Sequence, residues 1–261
     1  MTDEFGGTGG PERDHRWTRW LWRSLAVVGV VLAVAVAGFV IWGLTPLGPA
    51  PEATAAMRSD GAVTFSDAPD GLTFKPTGAE PTTGVILYPG GHVDYRSYST
   101  LARDLASAGY LVVVPPMPLS LAVLAPNRAD KVIAAHPEVS TWVLAGHSLG
   151  GAMACAYVDS HPDAIDALAL LAAYPAGSND LRADELGVVS LVGTQDTVVN
   201  RDNLDAGRAL LPATTTYTTI DGGNHAQFGS YGDQPGDSAA TITPLRQRAE
   251  TVAAVKTLLE R

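Results

Sequence analysis

Short apolar strands alternate with longer amphipathic helices from about residue 61 to the end of the chain. Eight runs rich in β-branched and apolar residues have the length of strands, and the segments between the later runs repeat their apolar residues with a helical period. Strands that alternate with helices predict an α/β fold with a mostly parallel sheet and helices on both faces. The predicted strands are 63–66, 72–75, 84–88, 111–114, 141–145, 167–171, 188–192 and 215–220, and the predicted helices are 98–108, 128–135, 150–160, 200–210 and 245–260.

The ends of several elements are marked by turn residues. The first two predicted strands are separated only by the turn-rich sequence DAPDG at 67–71, which predicts an antiparallel hairpin. Two helices run into His136-Pro137 and His161-Pro162. Because the residue before a proline is disfavoured in a helix, we expect both histidines to lie at helix ends.

One apolar stretch near the amino terminus is too long for a strand. Residues 24–44 carry no charge, and these 21 residues would span about 31 Å as a helix, close to one hydrocarbon thickness. Tryptophans at 17, 20 and 22 stand at one end and Trp42 at the other, as in interfacial aromatic belts. We therefore predict a transmembrane helix over 24–44, preceded by a segment over 1–23 and followed by a stiff Pro- and Ala-rich linker over 45–60 and an α/β domain over 61–261.

The basic residues around this stretch predict its orientation. Arg13, Arg16, Arg19 and Arg23 precede it, whereas the first basic residue after it is Arg58. This bias predicts a cytoplasmic amino terminus and an extracytoplasmic domain at the cell membrane. A cleaved signal peptide is the alternative, because ATA at 53–55 resembles a cleavage site, although the stretch is longer than a usual signal core. A buried core helix is a further alternative.

Composition narrows the classes of partner. A net charge of −10 without a basic cluster argues against a nucleic-acid partner. The single cysteine, Cys155, excludes an intramolecular disulfide and is predicted to be a small buried side chain. No His, Cys, Asp and Glu cluster has the spacing of metal ligands, so we expect no metal.

The strongest chemical motif is Gly146-His147-Ser148-Leu149-Gly150-Gly151, a G-x-S-x-G turn between a predicted strand and a predicted helix. Such a turn presents a serine hydroxyl above the edge of a sheet, where a base can reach it. Glycines flank the serine because side chains there would clash. The alternative is a glycine-rich joint with an incidental serine.

An acid and a base are expected at the carboxyl ends of other strands, where the reacting groups of open α/β sheets gather. Asp196 follows the strand 188–192, and His225 follows the strand 215–220. Together with Ser148 they give the chain order nucleophile, acid, base. Asp221 and Asp202 remain alternatives for the acid.

Five histidines lie in the predicted domain, and the base is chosen among them by position. Only His225 stands on a loop after the last strand, flanked by small residues. His136 and His161 are predicted helix ends, and His147 lies inside the serine turn, with its ring expected to point away from the serine. His92 is a candidate wall residue of the site.

An oxyanion formed on the substrate needs two amide donors. The amide of Leu149 lies at the start of a helix, where unpaired N–H groups and the helix dipole favour negative charge. The second donor is expected in the loop after the strand 84–88, where Gly91 and His92 are alternatives.

Several segments together resemble a known family. GHSLGG, YPGGHVDYRSY, VVVPPMPLSLA, GTQDTVV and GGNHAQFGSYGDQPGD are similar, in this order, to the α/β-hydrolase superfamily, and in particular to its small serine-hydrolase family 5, related to dienelactone hydrolases. The resemblance covers about residues 61–258. It implies a serine hydrolase with the three residues above and no cofactor. The chain departs from dienelactone hydrolases in having Ser148 in place of cysteine, which argues against that particular activity.

The substrate contacts are less well defined by the sequence. Only 16 residues separate the strands that end at 171 and begin at 188, which predicts a minimal lid and an open site. Met117 and Leu119, in the apolar run 115–124, and Tyr231, soon after His225, are candidate substrate-binding residues. The alternatives are a buried helix for the apolar run and a solvated loop for Tyr231.

These patterns predict a membrane-tethered hydrolase of small carboxylic esters that forms an acyl-enzyme on Ser148. Two other functions remain open. An acyltransferase would use the same three residues, and a non-catalytic surface module would keep the fold for binding.

Overall fold

The computed structural model describes residues 15–78, 80–183 and 186–259. The chain divides after Trp42 into two compact units. Arg13, one of the residues on which the predicted orientation rests, lies outside the described residues, as does most of the predicted segment 1–23.

The described residues of the first unit lie in one long helix, α1 (His15–Gly43), whose last residue belongs to the second unit. Within the described residues, the stretch Trp20–Gly43 is the one helix long and apolar enough to cross a membrane. None of the most apolar 18-residue window within this stretch is buried, which differs from the mostly buried state of a core helix in a soluble protein. The predicted apolar helix is therefore present.

The second unit is built on an eight-stranded sheet in the order β1-β2-β4-β3-β5-β6-β7-β8. The pairs β1–β2 and β2–β4 are antiparallel, and all other neighbours are parallel. This confirms the predicted sheet with its amino-terminal hairpin. The strands are β1 (Val63–Ala68), β2 (Gly71–Pro76), β3 (Thr83–Tyr88), β4 (Leu111–Val114), β5 (Thr141–His147), β6 (Ala167–Leu171), β7 (Gly187–Gly193) and β8 (Thr216–Ile220).

Helices cover both faces of the sheet, as predicted. In β3, Val85 and Leu87 belong to the core on one face, whereas Ile86 and Tyr88 belong to the core on the other, because successive side chains of a strand point in opposite directions. The first core includes α3 and α7, and the second includes α4 and α5, with Cys155 fully buried. The helices are α2 (Pro51–Ala56), α3 (Ser99–Ser107), α4 (Arg128–Ala135), α5 (Leu149–Ser160), α6 (Arg201–Gly207) and α7 (Pro244–Leu259).

Part of the segment predicted as a linker is docked on the domain. The Leu47 N–H donates to the carbonyl of His92 at 2.9 Å, and the Ala50 N–H donates to the carbonyl of Ser230 at 2.8 Å. Two alanines of α2 are buried. Backbone bonds to distant loops therefore hold residues 47–56 of the predicted stiff linker against the domain. A Pro- and Ala-rich composition indicates stiffness, but it does not reveal this docking.

The sheet brings the predicted site residues to one edge. The loops that follow β3, β5, β7 and β8 all leave the carboxyl ends of parallel strands, which lie at the same edge. Between β6 and β7, the described residues form no helix, in agreement with the predicted minimal lid.

Candidate active site

Ser148 occupies a strained position between β5 and α5. Its φ of 52° and ψ of −121° lie outside the helical and extended regions. The Ser148 N–H donates to the carbonyl of Leu171, the last residue of β6, at 2.9 Å. A Cβ at Gly146 would lie only 2.5 Å from the Cα of Gly151, so no side chain fits there. The strand, the helix and the neighbouring strand therefore hold this serine in a sharp turn.

Asp196 and His225 are brought together from two different loops. The Nδ1 of His225 lies 2.9 Å from Oδ2 of Asp196, and the two residues are only 1% and 3% exposed. The other carboxylate oxygen, Oδ1, accepts the N–H groups of Val198 at 3.0 Å and Val199 at 2.9 Å. These bonds fix the carboxylate so that one oxygen faces the histidine.

The two alternatives for the acid lie elsewhere. Asp221 is exposed and accepts a hydrogen bond from the hydroxyl of Thr194 at 3.3 Å. Asp202 is exposed in the first turn of α6. Asp196 is the carboxylate that the structure places against His225.

Residues without a recognisable sequence signal hold the acid and base loops. The buried side chain of Gln247 on α7 accepts the Asn224 N–H at 3.0 Å and donates to the Asn224 carbonyl at 2.7 Å. On the acid side, the Arg201 guanidinium donates to the carbonyls of Gly193 at 2.7 Å and Asp196 at 2.9 Å. Gln247 acts on a residue 23 positions away in sequence, and Arg201 acts on carbonyls five and eight positions before it. Neither spacing belongs to a recognisable local motif.

The two candidate oxyanion donors after β3 differ in their bonds. The His92 N–H donates to the carbonyl of Ser120 at 2.8 Å, so that amide is already used by the backbone. Gly91 lies beside Leu149: a Cβ placed on Gly91 would be 3.0 Å from Cδ2 of Leu149. Leu149 is the first residue of α5, and its N–H has no partner within the helix.

A second histidine lies directly against His225. The rings of His147 and His225 have their centroids 4.5 Å apart. The Nδ1 of His147 lies 2.7 Å from the hydroxyl of Tyr98, which also accepts the Gly90 N–H at 2.8 Å. Burial, and to a smaller extent the charge of His225, lower the pKa of His147 well below its ordinary value. His147 is therefore neutral near pH 7.

Ser148 and His225 line the same cleft, which has a volume of about 320 Å³. That volume is at the small end of the range for ligand sites in proteins. The lining residues other than these two are mostly small and apolar: Leu149, Ala152, Ala172, Ala173, Tyr174, Ala176, Val198, Val199 and Asn200.

None of the three predicted substrate-binding residues lines this cleft. Met117 is buried in the core that contains α4 and α5. Leu119 lies in a short 3₁₀ turn with a φ of 50°, so the apolar run after β4 is not the continuous helix considered as an alternative. Tyr231 is buried, and its hydroxyl donates to Gln234 at 2.9 Å. At Met117 and Tyr231, apolar character alone did not distinguish a cleft wall from core packing.

Comparisons with known proteins also indicate an α/β hydrolase. A family model described as the alpha/beta hydrolase family matches residues 84–249. A search of curated proteins finds no match to this sequence.

Three solved structures illustrate the similarity of fold. A "predicted CIB-like hydrolase" from Thermoplasma acidophilum has a TM-score of 0.58 and 16% identity, over 75% of this chain and 99% of that one. A dienelactone hydrolase-like promiscuous phosphotriesterase from metagenomic libraries has a TM-score of 0.57 and 20% identity, over 76% and 99%. A dienelactone hydrolase described as putative, from Klebsiella pneumoniae, has a TM-score of 0.54 and 15% identity, over 75% and 99%. At these identities the likeness shows the fold alone.

Proposed function

The chain belongs to the α/β-hydrolase family, and on that premise we propose that it is a serine hydrolase that cleaves carboxylic esters through an acyl-enzyme on Ser148. The observation that carries the proposal is the buried hydrogen bond between Asp196 and His225 beside the cleft that Ser148 lines. Because this fold supports several chemistries, the site rather than the fold supports the choice of reaction.

The proposed reaction uses His225 twice. His225 takes the proton of Ser148 as Oγ attacks the ester carbonyl, and then returns it to the departing alcohol, which leaves the acyl group on Ser148. Water, deprotonated by the same imidazole, then releases the acid and restores the serine. Asp196 is bonded to Nδ1 of His225, so Nε2 is the nitrogen that exchanges the proton. The negative charge of Asp196 stabilises the imidazolium that forms.

We assign the oxyanion of the tetrahedral intermediate to the amides of Leu149 and Gly91. The first residue of a helix has an unpaired N–H and the positive end of the helix dipole. Gly91 is favoured over His92, because the His92 N–H is bonded to Ser120 and Gly91 lies beside Leu149. Two such donors stabilise the charge that develops on the carbonyl oxygen.

The lining of the cleft supports an uncharged substrate. Among the described residues that line it there is no Asp, Glu, Lys or Arg, and His225 is the one histidine. A charged substituent would therefore lose its hydration without gaining an ionic partner there. We propose a small neutral ester as the substrate.

We also propose that α1 anchors the enzyme in a membrane, with its amino terminus in the cytoplasm and the hydrolase domain outside. The support is the apolar stretch Trp20–Gly43 and the arginines that precede it. In this proposal residues 24–44 span the bilayer, and the domain includes the docked segment 47–56 as well as residues 61–261. A signal peptide cleaved near residue 55 would give a secreted form, and mass determination of the mature amino terminus distinguishes the two.

The test uses the full chain in detergent with a fluorophosphonate probe and a panel of p-nitrophenyl esters. We expect covalent labelling and turnover by the native chain, and loss of both in Ser148→Ala. An added alcohol acceptor separates a hydrolase from an acyltransferase by the product formed. A phosphotriester belongs in the panel, because one structural neighbour is described as a phosphotriesterase. A correctly folded chain that is neither labelled nor active would contradict the proposal and favour a binding module.

A further inference from the structure

A buried hydroxyl connects the loop after β3 with the serine turn. Tyr98, the residue before α3, is fully buried, and its hydroxyl lies 2.8 Å from the Gly90 nitrogen and 2.7 Å from Nδ1 of His147. A Cβ at Gly90 would lie 2.9 Å from Nδ1 of His147 and 3.0 Å from the hydroxyl, so only glycine permits this approach.

The protons of this network follow from its donors and acceptors. The Gly90 N–H donates to the Tyr98 oxygen, which leaves the single phenolic proton for Nδ1 of His147. His147 then carries its own proton on Nε2. That nitrogen is buried, and the ring also interacts with the backbone of His225. Tyr98 therefore selects one neutral tautomer of His147.

The ring of His147 is enclosed by aromatic neighbours on the base side. Its centroid lies 4.5 Å from that of His225 and 5.7 Å from that of Phe228. In the proposed reaction His225 becomes a cation at this distance. A neutral neighbour allows that charge to form, whereas a second cation would oppose it.

We propose that Tyr98 and His147 are a positioning pair for the proposed base, in which Tyr98 holds His147 as a neutral ring and that ring holds His225 in line with Asp196. The same hydroxyl holds Gly90, the residue before the proposed oxyanion donor Gly91. One buried tyrosine thus aligns the base and the oxyanion loop on either side of Ser148. The inference rests on the proposed function.

The test measures the rate constant for labelling of Ser148 by a fluorophosphonate, together with kcat and KM for a p-nitrophenyl ester. Tyr98→Phe removes the hydroxyl but keeps the ring. We expect labelling and kcat to fall about tenfold or more with KM unchanged, because small displacements of a base are costly.

Tyr157→Phe is the matched control. Tyr157 is also buried, in the core on the α4 and α5 side, and its hydroxyl donates to the exposed carboxylate of Asp130 at 2.6 Å. This variant also loses a tyrosine hydroxyl and its hydrogen bond to a side chain, but it leaves the cleft untouched. We expect its labelling rate to stay within about twofold of the native rate, with a loss of stability of the usual size for such a bond.

Two variants of His147 separate the hydrogen bond from the ring. His147→Asn keeps an acceptor near the position of Nδ1 but removes the ring, whereas His147→Phe keeps a ring without the acceptor. We expect both to slow labelling. Removing both partners of a buried hydrogen bond leaves neither side chain without a partner. The double variant Tyr98→Phe with His147→Phe should therefore be labelled no more than about twofold more slowly than the slower of the two single variants.

Each result has a definite reading. Equal effects of Tyr98→Phe and Tyr157→Phe, or losses that multiply in the double variant, would overturn the positioning pair while leaving the hydrolase intact. If the native chain is not labelled at all, both proposals fail. Should Tyr98→Phe not fold, as judged by its thermal unfolding, His147→Asn and His147→Phe carry the test, and native labelling rates in both would overturn the proposal.

Discussion

The carboxylate of Asp237 accepts the N–H of Ala226, the residue that follows His225, at 2.9 Å. Its other oxygen accepts the N–H of Thr197, the residue that follows Asp196, at 3.3 Å. A single side chain therefore bridges the loops that carry the proposed acid and base. The alignment of the two loops depends on a residue that takes no part in proton transfer.

Asp237→Asn should disturb that alignment. An amide retains one acceptor oxygen but turns its NH₂ group toward the other N–H, so one backbone donor loses its partner, at a cost of about 1 kcal/mol. We expect a fall in kcat of about tenfold, measured on a p-nitrophenyl ester. Asp233→Asn, an exposed acid in the same loop, is the control. An equal loss in both variants would show that only loop charge matters.

Asp196→Asn should be the most damaging change that leaves the serine and the histidine in place. The amide favours the wrong tautomer of His225, and a serine protease with the equivalent change loses about 10⁴ in kcat. We expect a loss on the order of 10³ or more, with the fold intact by circular dichroism. Asp221→Asn and Asp202→Asn, at the exposed alternatives, should retain activity within about twofold. A comparable loss of kcat in either of these variants would indicate that Asp196 is not the acid.

Ala172 lines the cleft in a left-handed conformation, with a φ of 48°. Such a conformation costs a residue with a Cβ about 1–2 kcal/mol. Glycine avoids this cost, but its larger loss of chain entropy on folding offsets part of the gain. We expect Ala172→Gly to raise the free energy of unfolding by up to about 1 kcal/mol in urea denaturation. Ala173→Gly, at the adjacent buried position, should lower it. Destabilisation by both would mean that no strain is stored at Ala172.

His147 should make stability depend on pH. Its folded pKa lies below the unfolded value near 6.5, so below that pH the unfolded chain binds more protons and stability is lost as the pH falls. The contribution of this one group has a slope of up to about 1.4 kcal/mol per pH unit. We expect His147→Phe to lose less stability than the native chain between pH 7 and pH 5.5, as measured by denaturant unfolding.

The control for that pH comparison is His161→Gln, at the half-buried end of α5. It removes another histidine of the domain without touching the ring of His147, so its curve separates the effect of that ring from the loss of a histidine in general. Parallel curves for the native chain and His147→Phe would contradict the assignment of this dependence to His147.

Ala152 should limit the size of the group that enters the cleft. It lies half-buried in the first turns of α5 among the lining residues. We expect Ala152→Leu to lower kcat/KM for a hexanoate relative to an acetate ester by about tenfold, the usual scale for added methylenes in a filled pocket. Ala156→Leu, one turn later and outside the lining, should leave that ratio unchanged. An unchanged ratio in Ala152→Leu would place the substrate elsewhere.

Local sequence patterns were sufficient to predict the strands and the main helices of the domain. All eight strands and the main helices of the domain follow from the alternation of apolar periods, because the period of a segment reflects which of its sides is buried. The choice of Ser148, Asp196 and His225 as candidates also needed only the sequence, because in a parallel sheet the residues after the strands meet at one edge. The structure places them there, and their roles remain the proposal that the labelling experiment tests.

Contacts between distant parts of the chain were decided by the tertiary structure. The bond of His92 to Ser120, the pairing of Tyr98 with His147 and the docking of residues 47–56 each join segments that no local period relates. The same holds for Met117 and Tyr231, whose apolar character fits a cleft wall and a core equally well. A sequence determines which side of a helix or strand is apolar and therefore buried. The segment that packs on that side depends on how the loops meet in space, and so does the backbone amide that stays available for the substrate.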